Sequence, residues 1–557
     1  MIARAPLPQQ IKLTVIAQDP SVTEGPGTRI VTEQVSVPAE YLDAGPRGAR
    51  FHVVDYDSKT NQLEPPAVID GDRFADASDE ELRTSPEFRA QNVYAIAART
   101  LALFEAALGR RLRWGFDAHQ LYLMPRALPE RNAFYAGEDH AIYFGYDGQV
   151  QTALSHDIVA HETSHAVLDG LRPRFVEPGL PDQPAFHEAL GDIVALLSVF
   201  SLQPVVARLL GEADKNGRIP RSRLRPADLS QSPLFKLADE LGDGQGRERG
   251  SGLRRSVGLP ATPEWQDDPT YDEPHRRGEV VVAAVMRTML SIWTQRLDAI
   301  GGTAGADASR VAEEGARAAR QLTQMVVRAI DYMPPVELEF SDVVEAIIVA
   351  DQVFGPDDPG YRDALREEFA AFGVAPSGCI TDLTADPPEL VYDRLNYTLL
   401  RADADEVARF LWENADPLKI DRRWFTRVES VRPSVRVGRD GLLLHDVVAA
   451  YTQSVDLPAR DLVRLAGNEV ELPESVHGDT ELQLWGGGVV VFDQFGRAKY
   501  HVAKKLTNWG RQSRRLKYLA DHGLFDTRDR LGFTLSAPRG QRFASLHVPD
   551  DRAGEDW

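Results

Sequence analysis

The sequence predicts an α+β chain in three stretches: a β-rich amino-terminal part, a helical middle and a mixed carboxy-terminal part. Two observations carry this prediction. β-branched runs separated by Gly- and Pro-containing turns fill the first stretch, and apolar residues at helical spacing dominate from about 150 to 375. After Gly373 the pattern mixes strands with short helices. With 557 residues, 43% of them apolar and 26% charged, the chain can bury more than one core and has the composition of a folded protein.

Taken in order, IKLTVIA (11–17) and RIVTEQVSV (29–37) read as strands, and ARFHVVDYDSKTNQL (49–63) as a strand and turn. From about 84, SPEFRAQNVYAIAARTLALFEAAL is an amphipathic helix opened by Ser-Pro. Strands and turns, AIYFGYDG among them, continue to about 148. Helices are predicted over 154–168 and 185–200, after Gly278, and through RVAEEGARAARQLTQMVVRAI, FSDVVEAIIVADQVF and YRDALREEFAAF. DELGDGQGRERGSG (239–252) is the longest loop, and TDLTADPPELV reads as a linker. LQLWGGGVVVFDQFGRAKYHV (482–502) predicts a hairpin turning at DQFG. Its glycine run, Gly486 to Gly488, leads into a strand rather than a helix, which argues against a phosphate cradle. KKLTNWGRQSRRLKYL (504–519) reads as a solvated basic helix face.

Composition narrows the function classes. A net charge of −21 argues against a nucleic-acid-binding body, which needs a basic face. No apolar run approaches a membrane span, and the longest candidate, from Val280, stops at Arg287. The amino terminus lacks an apolar leader, so a cytoplasmic protein is the default expectation, with leaderless export left open. The single cysteine, Cys379, permits no intrachain disulfide and has no adjacent base, and is expected to be buried or incidental.

Chemistry concentrates in DIVAHETSHAVLDG (157–170), which contains H-E-x-x-H at His161, Glu162 and His165. Histidines four apart share one helix face and can hold one cation. A catalytic zinc site needs a third protein ligand, and Glu188 in AFHEALGDIVALL supplies a candidate at the start of a second helix. Asp192, one turn further, is placed to accept the other ring N–H of a metal-bound histidine. Glu162 is the candidate general base. His187 is expected to support a metal ligand from outside or to lie at the surface rather than to be a ligand itself, and His140 and His156 to be structural.

HExxH followed by HEALGD resembles the thermolysin-like (M4-type) branch of the gluzincin metallopeptidases. The resemblance covers roughly residues 45–375 and leaves both flanks unmatched. NAFYAGEDHAIYFGYDG (132–148) resembles the family's edge strand, which implies that Asn132 and the Ala133 backbone bind an extended peptide. YDEPHRRGEVVVAAVMRTML (271–290) resembles the segment that brings a histidine to the oxyanion, here His275. SGLRRSVGL offers Arg254 or Arg255 for the family's substrate-carbonyl arginine, with Arg254 preferred. Two departures stand out. The family's tyrosine between the second histidine and the glutamate is absent, although Phe175 and Phe186 occupy that interval. Asp157 matches a calcium-binding position, but its expected acidic partner is Val199; calcium is therefore doubtful, and Asp157 is expected to be a helix N-cap.

The resemblance implies a two-lobed zinc metallopeptidase, β-rich over 46–150 and α-helical over 151–376. A strand extension (1–45) would precede it, and an α+β domain of unknown role (377–557) would follow. The expected partner is a peptide or protein substrate, with no nucleic acid and no membrane. The alternative is a non-catalytic or single-client binding protein built on the same scaffold, its carboxy-terminal domain selecting the partner.

Overall fold

The computed structural model describes residues 9–20, 23–24, 29–148, 150–177, 179–230, 258–300, 305–355, 359–385, 388–438 and 441–524. At the amino terminus β1 (Gln10–Ile16) pairs antiparallel with β4 (Thr32–Pro38), and the short β2 (Thr23–Glu24) and β3 (Arg29–Ile30) pair between them. Alternation along this ladder turns Leu13, Val15, Val35 and Val37 into the main core. β5 (Phe51–Val53) follows, then a small hairpin of β6 (Tyr56–Asp57) and β7 (Gln62–Leu63).

Two helices come next, α1 (Asp79–Thr84) and α2 (Pro86–Leu108). Ser85 caps α2 by accepting the Phe88 N–H, Pro86 opens it, and Gly109 ends it in the left-handed region at φ 66°. The helix is the crossover that lets β5 lie parallel to β8 (Leu121–Leu128). β9 (Ala133–Ala136) runs antiparallel along β10 (Ala141–Asp147), whose other side pairs parallel with β8. β11 (Val150–Gln151) closes on the end of β10. Among the described residues β9 pairs with no second strand, so it is an edge.

The middle is helical, as the periodicity predicts: α3 (His156–Leu171), α4 (Asp182–Phe200), α5 (Gln203–Leu209), α6 (Pro226–Ser230) and α7 (Pro274–Ile300). The paired β12 (Arg218–Ile219) and β13 (Ala306–Asp307) precede α8 (Ala308–Ala329), α9 (Phe340–Phe354) and α10 (Gly360–Ala371). α4 is the central helix and packs on α3, α7 and α8. Its stripe Leu190, Ile193, Val194 and Leu197 is fully buried. No helix among the described residues is long and apolar enough to cross a membrane.

The rest builds β14 (Ile380–Asp382), α11 (Ala404–Glu413), β15 (Phe425–Val437), β16 (Leu443–Pro458), α12 (Ala459–Ala466), β17 (Glu481–Phe492), β18 (Ala498–Lys504) and α13 (Trp509–Asp521). Five strands form an antiparallel sheet in the order β14-β18-β17-β16-β15. The predicted hairpin is β17–β18. The start of the expected linker is instead β14, an edge strand of this sheet. Strand alternation splits the sheet into two apolar faces. Val448, Ala450, Val489, Val491 and Val502 join the main core, while Val447, Ala449, Val490 and Phe492 pack in a second core with Val407 and Phe410. The basic stretch also differs from expectation. Arg511 and Arg515 on α13 are each 1% exposed, and Arg515 Nε lies 2.6 Å from Glu337 Oε1. Lys504 Nζ reaches Asp342 at 2.6 Å and Glu339 at 2.7 Å. These cations turn inward because the carboxylates just ahead of and within α9 face them.

Candidate metal centre

His161 and His165 project from one face of α3 with their Nε2 atoms 2.7 Å apart. Glu188, in the second turn of α4, places Oε2 3.5 Å from His161 Nε2 and 3.7 Å from His165 Nε2. The three donor atoms lie within 4.8 Å of one another, and no other such group of histidine, cysteine and carboxylate donors occurs among the described residues. His165 and Glu188 are buried, whereas the His161 side chain is 16% exposed, so the group opens on the His161 side. Two imidazoles and a carboxylate offer donors that could hold a metal ion.

The outer contacts orient both rings. His161 Nδ1 lies 2.8 Å from Asp192 Oδ1, the acceptor expected from the sequence. The ring rests on Gly191, where a Cβ would stand 2.7 Å from Nδ1; glycine is required for this approach. His165 has a different partner: its Nδ1 lies 2.7 Å from His187 Nδ1, with His187 itself 1% exposed. His187 therefore orients a candidate ligand, the first of the two places expected for it from the sequence.

Carboxylates crowd the His161 ring. Burial opposes a protonated His161, yet Asp192, Glu188 and Glu162 raise its pKa well above the ordinary imidazole value. The same concentration of carboxylates favours a divalent cation where the donor atoms meet, so the residues fit a metal ion.

Glu162 is 3% exposed, and its Oε2 accepts the backbone N–H of Tyr135 on β9 at 3.0 Å. The Tyr135 hydroxyl in turn donates to Asp169 Oδ2 near the end of α3, also at 3.0 Å. Neither Tyr135 nor Asp169 was expected here, because a backbone donor leaves no signature in residue type. His275 sits on the first turn of α7, not ahead of the helix. Its Nε2 is 3.1 Å from Glu188 Oε2, and its Nδ1 is 2.7 Å from Glu273 Oε1. Glu273 also accepts the backbone N–H groups of His275 and Arg276. Burial works against its charge, but His275 holds its carboxyl below the usual range.

Other expected residues fall as follows. Asn132 Oδ1 accepts the Ala133 N–H at 2.9 Å, which places both at the start of the β9 edge. Arg254 and Arg255 lie outside the described residues. Phe175 and Phe186 are buried edge to face, 6.2 Å apart, as core packing. Asp157 is not the N-cap of α3: Ser155 holds that position, and Asp157 lies in the first turn, 2% exposed. Burial, then Asp19 and Asp192, raises its pKa well above the usual carboxylate value. His156 is buried with Nε2 2.9 Å from Ser198 Oγ, and His140 stacks on Phe116 at 4.2 Å, both structural contacts. Cys379 is partly exposed, and burial pushes its thiol pKa up.

Compared with known proteins, the chain matches no protein-family model, and no curated protein matches it.

Proposed function

We propose that this chain is a zinc-dependent endopeptidase with a two-lobed, thermolysin-like build. The observation that carries the reading is the convergence of His161, His165 and Glu188 donor atoms, with Glu162 next to His161 in the chain and His275 Nε2 3.1 Å from Glu188 Oε2. The β5–β11 sheet would form one lobe and α3–α10 the other, with β9 as the edge along which a peptide binds. His161, His165 and Glu188 would hold zinc, which when bound polarises a carbonyl and lowers the pKa of water.

The chain's own groups divide the remaining work. Glu162 takes a proton from the attacking water and passes it to the leaving amine. The Tyr135 N–H keeps its carboxylate aimed. His275, held at Nδ1 by Glu273, donates to the developing oxyanion, a task that it would share with the zinc where the family's tyrosine is missing. The Asn132–Ala133 end of β9 positions the peptide by strand addition. Glu162 also weighs against the non-catalytic alternative, since a purely structural metal needs no base.

The test is cleavage of a peptide library by wild type and by Glu162→Gln. Zinc retained in both, with cleavage by the wild type alone, is the expected result. Wild type that holds zinc but cuts nothing would favour the scaffold reading.

A further inference from the structure

We infer that Arg432, on the edge strand of the carboxy-terminal sheet, is a positioning residue for Glu162; the inference rests on the peptidase reading. Arg432 donates from one guanidinium nitrogen to Gly170 O and from the other to Leu171 O, each at 3.0 Å. These are terminal carbonyls of α3, which have no partner within the helix, and a cation there also complements the helix dipole. The same strand receives the end of α2: Ser434 Oγ donates to Leu108 O at 2.7 Å, and Val435 N–H to Gly109 O at 3.0 Å. Arg174, just beyond α3, pairs with Glu429 of β15 at 3.2 Å and lies 4.1 Å over the Trp485 ring.

The end of α3 so held carries Asp169. On its other side the last turn has no slack, because a Cβ on Gly170 would stand 2.0 Å from Arg113 O. Asp169 takes the Tyr135 hydroxyl, and Tyr135 gives its backbone N–H to Glu162. The contacts close a loop: Arg432 to the end of α3, Asp169 to Tyr135, and Tyr135 back to Glu162 in the middle of the same helix. Arg172 also donates to Leu171 O, at 3.2 Å, so loss of Arg432 releases chiefly the Gly170 carbonyl beside Asp169. The carboxy-terminal sheet is on this account part of the catalytic body, and small displacements of a general base reduce turnover steeply.

The test compares full-length wild type, Arg432→Met, Tyr135→Phe and the double variant. Turnover and KM are read on a fluorogenic peptide mixture, bound zinc by mass spectrometry, and exchange of the Tyr135 amide hydrogen by fragment-resolved deuterium uptake. Arg432→Met is expected to lower kcat about tenfold with KM within about twofold and zinc unchanged, and to speed Tyr135 amide exchange. The double variant should be no slower than the worse single one, because both changes act through one path. Unchanged kcat and unchanged Tyr135 protection, or multiplicative losses, would overturn the inference. If Arg432→Met does not fold, Arg432→Lys serves, with an intermediate loss expected and wild-type values overturning it. Should the wild type bind zinc yet cut nothing, the peptidase reading fails, and amide exchange alone decides whether Arg432 governs the Tyr135–Glu162 contact.

Discussion

Replacing His187 by leucine should weaken zinc binding without removing a ligand. The two Nδ1 atoms of His165 and His187 are 2.7 Å apart, and both residues are at most 1% exposed. A metal-facing His165 Nε2 carries a lone pair, so its Nδ1 carries the hydrogen and His187 Nδ1 must accept it. His187→Leu leaves that N–H buried without its acceptor, at about 1–3 kcal/mol. At 1.4 kcal/mol per tenfold, this corresponds to roughly a 5- to 150-fold rise in zinc Kd, and outer-shell replacements at metal sites span a similar range, about 10- to 100-fold. His187→Asn supplies an amide oxygen in the same space and should stay within a few-fold of wild type. Competition with a chromophoric chelator measures all three. Leucine as tight as wild type, or asparagine as weak as leucine, would refute the assigned hydrogen bond.

Two further predictions concern stability. His156 and His501 are pulled down to about 3 and about 4, in each case first by burial and then by a nearby cation, Arg99 and Lys419 respectively. The unfolded chain restores values near the ordinary ~6.5 and binds more protons below that pH. Their contribution is therefore full above about pH 6.5 and is lost as pH falls toward 4, at up to about 1.4 kcal/mol per pH unit for each histidine. Urea midpoints should drop between pH 7 and pH 5, with a smaller drop in His501→Gln; equal drops would count against a neutral buried His501. Arg515→Met should destabilise the fold by about 3 kcal/mol, since it strips Glu337 of a partner at 2.6 Å in a site 1–2% exposed. Urea titration checks this, and a loss under 1 kcal/mol would mean that Arg511 and Lys504 already compensate Glu337.

The candidate site was legible where the chemistry follows helical spacing. His165 lies four positions after His161, and Asp192 four after Glu188, so each pair falls on one helix face before any packing is known. The apolar stripes of α2 and α4 were legible for the same reason. What escaped depends on contacts between distant segments. The Tyr135 backbone N–H on Glu162 is invisible in residue type, and which ring His187 orients depends on how α4 packs against α3. The 504–519 stretch looked solvated because its cations have no carboxylates nearby in sequence; the partners, Glu337, Glu339 and Asp342, come from a segment more than 150 residues earlier. The N-cap of α3 is Ser155, two positions before the expected Asp157, and residue type does not separate them because serine and aspartate are both favoured caps.

The central claim is that His161, His165 and Glu188 form one zinc site. Metal content of the purified full-length chain, measured by plasma mass spectrometry for wild type and His165→Ala, tests it most directly. The account predicts about one zinc per wild-type chain and nearly none in the variant, because two remaining donors do not hold zinc through purification. Wild type without zinc after reconstitution, or a variant that keeps its full complement, would contradict it.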